Sequence, residues 1–265
     1  MNTKARITSI IQTPSLPHSI TQLTEFSLST LEVKNTADIK LPSNLRLGHL
    51  AERVVSGLIE QSNDYELLYE NIQLIQEKET IGELDFIIKE VATERLIHLE
   101  MAYKFYLYDP NISNNEIDNW TGPNRNDSLS EKLDKLKKRQ FPLLYSDIAK
   151  RTFKKLAFNQ IEQSLCLLVN LYLPYEFKEE ISSVYHSAIK GYYLNRATFL
   201  ALHSEEKKYY LPPRKEWGID SVEKSEWFTL SEIQARLDAI LSDKKAALCW
   251  EKSGTSYSEY FVVWW

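Results

Sequence analysis

The stretch that decides the fold is LIHLEMAYKFYLY, from Leu96 to Tyr108. It is rich in apolar and aromatic residues and predicts a β-strand. Because successive side chains of a strand point to opposite faces, Glu100 and Lys104 share one face with His98. A half-buried strand holds charged groups only where something pairs with them, since an unpaired charge out of water is costly. The two charges therefore indicate either a functional site or a structural ion-pair network.

A helix and two strands are predicted before this stretch. Apolar residues recur at helical spacing from Leu47 to Leu58, and Glu52 borders the buried side of that helix. Two β-rich runs follow, roughly Leu67 to Gln76 and Gly82 to Lys89. The second run holds Asp85 between apolar neighbours. The predicted order is helix, strand, strand with aspartate and strand with glutamate.

Asp85, Glu100 and Lys104 converge if the aspartate points to the same side of the sheet as the glutamate. One or two carboxylates suit Mg²⁺ or Mn²⁺, which keeps several waters and completes its coordination with substrate phosphate. A lysine beside them can orient or deprotonate an attacking water. We therefore expect a metal-dependent site for phosphodiester hydrolysis, in which the backbone carbonyl of Met101 adds a metal ligand.

The order of these elements resembles the αβββ core of the PD-(D/E)XK nuclease superfamily. The residues that carry the resemblance are Leu47-Gly48 with Glu52, Asn71, Gly82-Glu83-Leu84-Asp85 and His98-Leu99-Glu100. The resemblance implies a restriction-endonuclease-like fold and adds Glu52 to the catalytic residues. A glutamate at a helix flank is otherwise usually solvated. His98 has two interpretations, a contact to substrate or metal and a satisfied core histidine.

A longer pattern is similar to the bacterial family catalogued as domain of unknown function 1853. Its members are His98 to Tyr106, Trp120 to Asn124, Asp127, Leu129, Lys132-Leu133 and Gln140. The superfamily pattern places a lysine two residues after the glutamate, where this chain has Ala102. Lys104 keeps the same face but lies about 6.8 Å beyond that position, at ~3.4 Å per residue. The resemblance permits activity and supplies no established substrate.

A basic segment follows the predicted strands. Between Gly122 and Lys155 ten basic residues stand against four acidic ones, a local charge of +6 in a chain of net charge -5. Such a segment can hold a nucleic-acid backbone through its phosphates. The candidates for this contact are Arg125, Lys132, Lys135, Arg139 and Gln140. An ordinary solvated helix face is the alternative. Gln140 continues the inward stripe of Leu129, Leu133 and Leu136, so it either reaches the site or caps a backbone group.

The composition bounds the class of protein. A net charge of -5 over 265 residues argues against a protein that coats nucleic acid over its whole surface. Seven glycines form no GxxxxGK[ST] or GxGxxG turn, which argues against those nucleotide-binding folds. Cys166 and Cys249 indicate neither a disulfide framework nor a structural zinc, which favours a reducing, cytoplasmic location. No segment has the apolar length of a membrane span.

The second half alternates apolar runs with turns. Thr229 and Glu232 predict a capped helix, and a hairpin is predicted around Ser253-Gly254-Thr255. The aromatic residues of the C-terminus either stack on bases or form the core of a small sheet. They are Trp250, Tyr257, Tyr260, Phe261, Trp264 and Trp265.

The sequence therefore predicts an α/β (α+β) fold with a restriction-endonuclease-like αβββ core and a mixed sheet. The expected segments are a helical or irregular stretch at 1–44, the nuclease core at 45–145 and an α+β region at 146–265. The expected partners are DNA or RNA and no membrane, with a homodimer left open. Two rival functions are a catalytically silent nuclease fold that binds nucleic acid and a protein-interaction scaffold.

Overall fold

The computed structural model describes residues 2–153, 156 and 158–265. These form an α+β structure with a large mixed sheet. The helices are α1 (Thr3–Gln12), α2 (His18–Thr21), α3 (Leu47–Glu60), α4 (Leu129–Lys135), α5 (Phe141–Leu143), α6 (Asp147–Thr152), α7 (Arg196–Ala201) and α8 (Leu230–Ser242). The strands are β1 (Tyr65–Gln76), β2 (Glu79–Glu90), β3 (Leu96–Tyr108), β4 (Trp120–Thr121), β5 (Ile161–Pro174), β6 (Ile189–Asn195), β7 (Lys208–Tyr210), β8 (Ala247–Ser253) and β9 (Ser256–Val263).

The chain divides into two compact units. The first unit comprises Asn2–Tyr103 and Glu131–Leu168, and the second comprises Lys104–Ser130 and Val169–Trp265. Strands β3 and β5 and helix α4 contribute residues to both units. The chain therefore changes unit at places other than the predicted segment borders near residues 45 and 145.

The first unit is built on an antiparallel meander. Strand β1 pairs with β2 and β2 pairs with β3, and β5 follows β3 in the strand order. The predicted helix and the three predicted strands are confirmed, and β3 has its predicted bounds. Helix α3 is amphipathic and buries its apolar stripe, with Leu50, Val54 and Ile59 inaccessible to solvent.

Both faces of β3 are covered. Apart from Leu96 and Lys104, the residues of the strand are buried. Alternation along β3 therefore tells which residues share a face. It does not tell which face is buried, because neither face of this strand is exposed to solvent as one face of a two-layer sheet would be. The consequence is that His98 and Glu100 lie in the interior, where each polar atom requires a partner.

The second unit continues from the end of β5. Strand β5 is parallel to β6, β6 is parallel to β9, and the remaining neighbours β9, β8 and β7 are antiparallel. The predicted capping box of Thr229 and Glu232 begins α8, and the predicted hairpin joins β8 to β9. Gly254 occupies its turn with φ +56°, which a glycine adopts without steric cost.

Membrane insertion through a helix finds no support in the described chain. Within residues 2–153, 156 and 158–265, every helix is too short or too polar to span a bilayer.

A candidate acidic site in the first unit

Asp85 and Glu100 are neighbours where the β2–β3 ladder ends. The β2–β3 register pairs Ile88 with Ile97, Ile87 with His98 and Phe86 with Leu99. Asp85 and Glu100 each lie one residue beyond the last pair of this ladder. There the backbone N–H of Asp85 donates a hydrogen bond to the carboxylate of Glu100.

At the end of this ladder, the side chain of Asp85 accepts a backbone hydrogen bond from β3. Its Oδ2 accepts a hydrogen bond of 2.8 Å from the Met101 N–H. This contact fixes the carboxylate beside β3 and lowers the pKa of Asp85 against the larger effect of burial. The structure thus uses the amide of Met101, while the predicted metal contact of its carbonyl stays a prediction.

Three carboxyl groups act on one another at this position. Burial is the main cause that raises the pKa of Asp85 to about 7, and the charge of Glu100 adds to it. Burial likewise raises the pKa of Glu100 to about 7, with Glu52 among the acids that add to the effect. Burial and then the charge of Asp85 raise the pKa of Glu52 to about 7. The predicted acids Glu52, Asp85 and Glu100 are therefore brought together.

The cluster is open to solvent on one side. Glu100 is fully buried, whereas Glu52 and Asp85 are partly exposed. Lys132 and Gln140 are also partly exposed. Glu100 therefore lies at the floor of the cluster, and the other groups lie between it and the solvent.

Lys132 is the cation that acts on all three acids. Its charge lowers the pKa of Glu52, Asp85 and Glu100, against the effect of burial. Its ammonium group donates a hydrogen bond of 3.0 Å to Oε1 of Gln140. Gln140 in turn donates through Nε2 to Oε2 of Glu100, at 2.7 Å. A lysine predicted to contact nucleic acid thus belongs to the acidic cluster.

A π-helical turn places Lys132 and Gln140 together. Eight residues of a regular α-helix rotate by about 80° beyond two full turns, at 3.6 residues per turn. The segment Leu136–Gln140 is π-helical, and its wider turn reduces this angle. Both side chains consequently reach the same face of the helix. The prediction that Gln140 points inward toward the site agrees with its contact to Glu100.

His98 is enclosed beneath the cluster. Its Nε2 lies 2.9 Å from Oε1 of Glu100, and both side chains are fully buried. Its Nδ1 lies 3.2 Å from Nε2 of Gln163, which also donates to the Phe141 carbonyl at 2.7 Å. Burial lowers the pKa of His98 to about 4, against an opposing effect of Asp85. The imidazole is therefore neutral at pH 7 and belongs to the core, the second of its two interpretations.

Lys104 has a different partner from the one predicted. It lies in the second unit, where its ammonium group donates to Oδ2 of Asp127 at 2.7 Å. Gly122 lies against the same carboxylate, because a Cβ added there would be 2.2 Å from Oδ1 of Asp127. Lys104 and Asp127 therefore form an ion pair that fixes the turn after β4. A catalytic role for Lys104 stays a prediction without a contact to support it.

The predicted nucleic-acid contacts divide between the two units. Arg125 lies in the second unit, where it contacts Asp109 and lies over the ring of Trp265 at 3.7 Å. Lys135 and Arg139 are exposed in the first unit. Lys154 and Lys155, which belong to the predicted basic segment, lie outside the described residues.

The donor set of the cluster fits a divalent cation. Glu52, Asp85 and Glu100 supply carboxylate oxygens, the ligands that Mg²⁺ and Mn²⁺ prefer. Burial and mutual repulsion raise the pKa of each acid to about 7, so a bound cation would favour their charged forms. In the described part of the chain, no group of three or more His, Cys, Asp or Glu side chains is placed so that together they could hold a metal ion. This is compatible with a Mg²⁺ site, which keeps several waters and takes only one or two carboxylates.

The C-terminal aromatic residues mostly form a core. Trp250, Tyr260 and Phe261 are buried, in line with the second interpretation of this segment. Trp264 and Trp265 are partly exposed and line a cavity of about 720 Å³ in the second unit, together with the Arg196–Asp238 ion pair. This cavity is separate from the acidic cluster, since its lining residues belong to the other unit.

The sequence analysis missed Gln163 and gave Lys132 a different role. Lys132 is part of the family pattern and was predicted to contact nucleic acid, whereas the structure brings it to the acids. Gln163 stands at the start of β5, and nothing in its spacing relates it to His98. The signal that could have related Lys132 to the acids is its occurrence in the family pattern together with Gln140, eight residues later.

Comparison with known proteins identifies the family alone. No curated protein and no solved structure matches the chain. The superfamily placement therefore stays a prediction. The family model described as "Domain of unknown function (DUF1853)" matches residues 4–262, which confirms the predicted family. The chain belongs to this family.

Proposed function

We propose that the protein is a metal-dependent nuclease that hydrolyses phosphodiester bonds in DNA or RNA, on a restriction-endonuclease-like core. One observation carries the proposal: the structure brings the carboxyl groups of Glu52, Asp85 and Glu100 together, and burial with mutual repulsion raises the pKa of each to about 7. A structural ion-pair network lowers the pKa of its acids, because each carboxylate has a cation beside it. Here all three pKa values are raised, and a bound divalent cation would favour the charged forms.

Each acid has its own role in the proposed site. Asp85 and Glu100 would hold Mg²⁺ or Mn²⁺, and Glu52 at the solvent side would bind a water of the cation or the attacking water. The bound ion would supply Lewis-acid polarisation of the phosphate and a more acidic water. Asp85 keeps its orientation through the Met101 N–H, and Glu100 keeps its orientation through Gln140.

Lys132 is the lysine that we assign to the site in place of Lys104. It acts electrostatically on all three acids, and its ammonium group is directed by Gln140. A lysine at this position can orient a water and stabilise the charge that develops on the phosphate. Position 102 can then be alanine because the helix, rather than the strand, supplies the ammonium group.

Substrate binding is assigned to exposed cations on the same helical segment. Lys135 and Arg139 belong to the first unit, as does the acidic cluster, and are available for phosphate contacts. Such contacts position a strand without reading its sequence, so they serve DNA and RNA alike.

The test is cleavage of single- and double-stranded DNA and RNA with Mg²⁺, with Mn²⁺ and with EDTA. The informative variant is Asp85→Asn, which keeps an oxygen for the Met101 N–H but removes the charge. We expect metal-dependent cleavage by the wild-type protein and at least a hundredfold loss in the variant.

Two outcomes would replace the proposal by its rivals. Salt-dependent binding of nucleic acid without cleavage in any metal would favour a silent nuclease fold. The absence of both cleavage and binding would favour a protein-interaction scaffold. Cleavage that is as fast in Asp85→Asn as in the wild type would show that the acidic cluster is not the site.

A further inference from the structure

The contacts of His98 define which nitrogen carries its proton. The side-chain amide of Gln163 has two N–H groups, and one of them donates to the Phe141 carbonyl at 2.7 Å. The other is directed at Nδ1 of His98, at 3.2 Å. Since Nδ1 accepts, the proton of the neutral ring lies on Nε2. Nε2 then donates to Oε1 of Glu100 at 2.9 Å.

Three donors hold the carboxylate of Glu100. His98 donates to Oε1, Gln140 donates to Oε2 at 2.7 Å, and the backbone N–H of Asp85 donates to the same carboxylate. A carboxylate has about four acceptor positions. One position is therefore left for a cation, while the donors fix the plane of the carboxylate.

All three donors are uncharged, so none of them neutralises the carboxylate. A lysine or arginine in the place of His98 would hold the carboxylate equally well but would neutralise it and repel a metal ion. A neutral imidazole and an amide orient the same group and leave its negative charge for the cation. The ring is itself fixed by an edge-on contact with Phe141, at 5.5 Å between ring centroids.

We infer that His98 is a positioning residue of the metal site, which holds Glu100 in its cation-binding orientation through Nε2–H, with Gln163 fixing the tautomer. The inference rests on the proposed function, because it assumes that Glu100 binds a divalent cation. It goes beyond that function by assigning to the site the buried His98 of β3 and the partly buried Gln163 of β5, which hold Glu100 without binding the metal themselves.

Two variants of similar size separate hydrogen bonding from packing. In His98→Gln the side-chain amide nitrogen takes the place of Nε2 and can still donate to Glu100. In His98→Asn the amide group corresponds to the Nδ1 side of the ring, so that Gln163 keeps a partner but Glu100 loses its donor. Loss of the partner of a metal ligand typically costs 10–100-fold in metal affinity.

The experiment is titration of the full chain with Mn²⁺, in which free Mn²⁺ is measured by electron paramagnetic resonance. We expect His98→Asn to bind Mn²⁺ about 10–100-fold more weakly than the wild type, and His98→Gln to be within about threefold of it. Equal affinity in His98→Asn and the wild type would overturn the inference, as would an equal loss in both variants. If the wild-type protein binds no Mn²⁺, the proposed function is wrong, and the inference is wrong with it.

A second measurement serves if His98→Asn does not fold. The ¹⁵N–¹H spectra of histidine-labelled wild-type protein report the tautomer directly, and the His98 signal is identified by its absence in His98→Gln. We expect the proton on Nε2, with Nδ1 unprotonated, at pH 7. A proton on Nδ1 would overturn the inference, because Nε2 could then not donate to Glu100.

Discussion

Lys132 donates a hydrogen bond of 3.0 Å to Gln140 across a helix that becomes π-helical between the two residues. Gln140 in turn donates a hydrogen bond to Glu100. Its amide group therefore links the Lys132 ammonium group to the buried carboxylate of the acidic cluster. π-Helical turns inside helices are frequent at functional sites. The relationship explains how a helix can supply the lysine that the strand lacks.

Substitution of Lys132 tests this assignment. We expect Lys132→Met to lower the rate of metal-dependent cleavage by about 10²–10⁴-fold, the usual contribution of a positioned acid–base group. Mn²⁺ binding should be kept or strengthened, because the substitution removes a positive charge beside three carboxylates. Single-turnover cleavage and Mn²⁺ titration measure the two effects.

The matched control is Lys104→Met. Because Lys104 pairs with Asp127, we expect its substitution to change cleavage by less than about fivefold and to reduce stability by roughly 0–1 kcal/mol, as for a partly exposed ion pair. A larger loss of cleavage in Lys104→Met than in Lys132→Met would restore the role that the sequence predicts for Lys104.

The acidic cluster should make the metal-free protein less stable at high pH. In the folded state the pKa values of Glu52, Asp85 and Glu100 are raised to about 7, above their ordinary values. The folded state therefore holds more protons than the unfolded state between about pH 4 and 7. Stability is highest below this window and falls as the pH rises through it, by at most about 1.4 kcal/mol per pH unit for each group.

Thermal unfolding in EDTA at pH 5 and pH 8 measures this effect. We expect Asp85→Asn to be more stable than the wild type at pH 8 by on the order of 1 kcal/mol, about 2–4 °C, and similar to it at pH 5. Mg²⁺ or Mn²⁺ should raise the unfolding temperature of the wild type at pH 8 and not that of the variant. A variant that is destabilised equally at both pH values would contradict the raised pKa.

The turn after β4 should not tolerate a side chain at Gly122. In Gly122→Ala the added Cβ would lie 2.2 Å from Oδ1 of Asp127 and 3.3 Å from its backbone oxygen. We expect a loss of about 1–3 kcal/mol, the usual cost of overpacking, measured by denaturant unfolding. Gly48→Ala is the control, since its nearest neighbour is Oε1 of Glu52 at 4.0 Å. Equal stability of Gly122→Ala and the wild type would show that Asp127 moves freely away from Lys104.

The salt dependence of nucleic-acid binding tests the exposed cations. We expect the double variant Lys135→Glu, Arg139→Glu to bind DNA more weakly. The slope of log K against log salt should become shallower by about 0.9 for each phosphate that the protein no longer neutralises. The double variant Lys34→Glu, Lys40→Glu makes the same change of charge at exposed positions outside the helix. Similar slopes in both variants would mean that net charge, rather than local phosphate binding, governs affinity.

The helix and strands that carry the acids could be predicted from local sequence. The bounds of β3, the helix with Glu52 and the strand with Asp85 follow from apolar periodicity and from β-rich composition, which depend on near neighbours in the chain. The proximity of Asp85 and Glu100 was predictable as well, because successive strands of a meander lie beside each other and both residues occupy adjacent strands.

The side-chain contacts of the site residues could not be predicted from the sequence. The sequence places Lys104 on the same strand face as Glu100, but strand alternation does not reveal that Asp127 returns from a later turn to pair with it. Similarly, apolar periodicity gives no sign of the π-helical segment that turns Lys132 and Gln140 to one face. The local sequence pattern predicts the face on which a side chain lies but not the residues that it contacts.

By itself, the sequence determined the family, the order of the helices and strands and the three acids of the site, because each depends on residues close together in the chain. Only the tertiary structure decided which cation joins those acids, that His98 contacts Glu100 and that Gln163 contacts His98. Gln140 is 40 positions from Glu100 in the chain, and Gln163 is 65 positions from His98. Their choice follows from packing and charge in three dimensions, which no local spacing encodes.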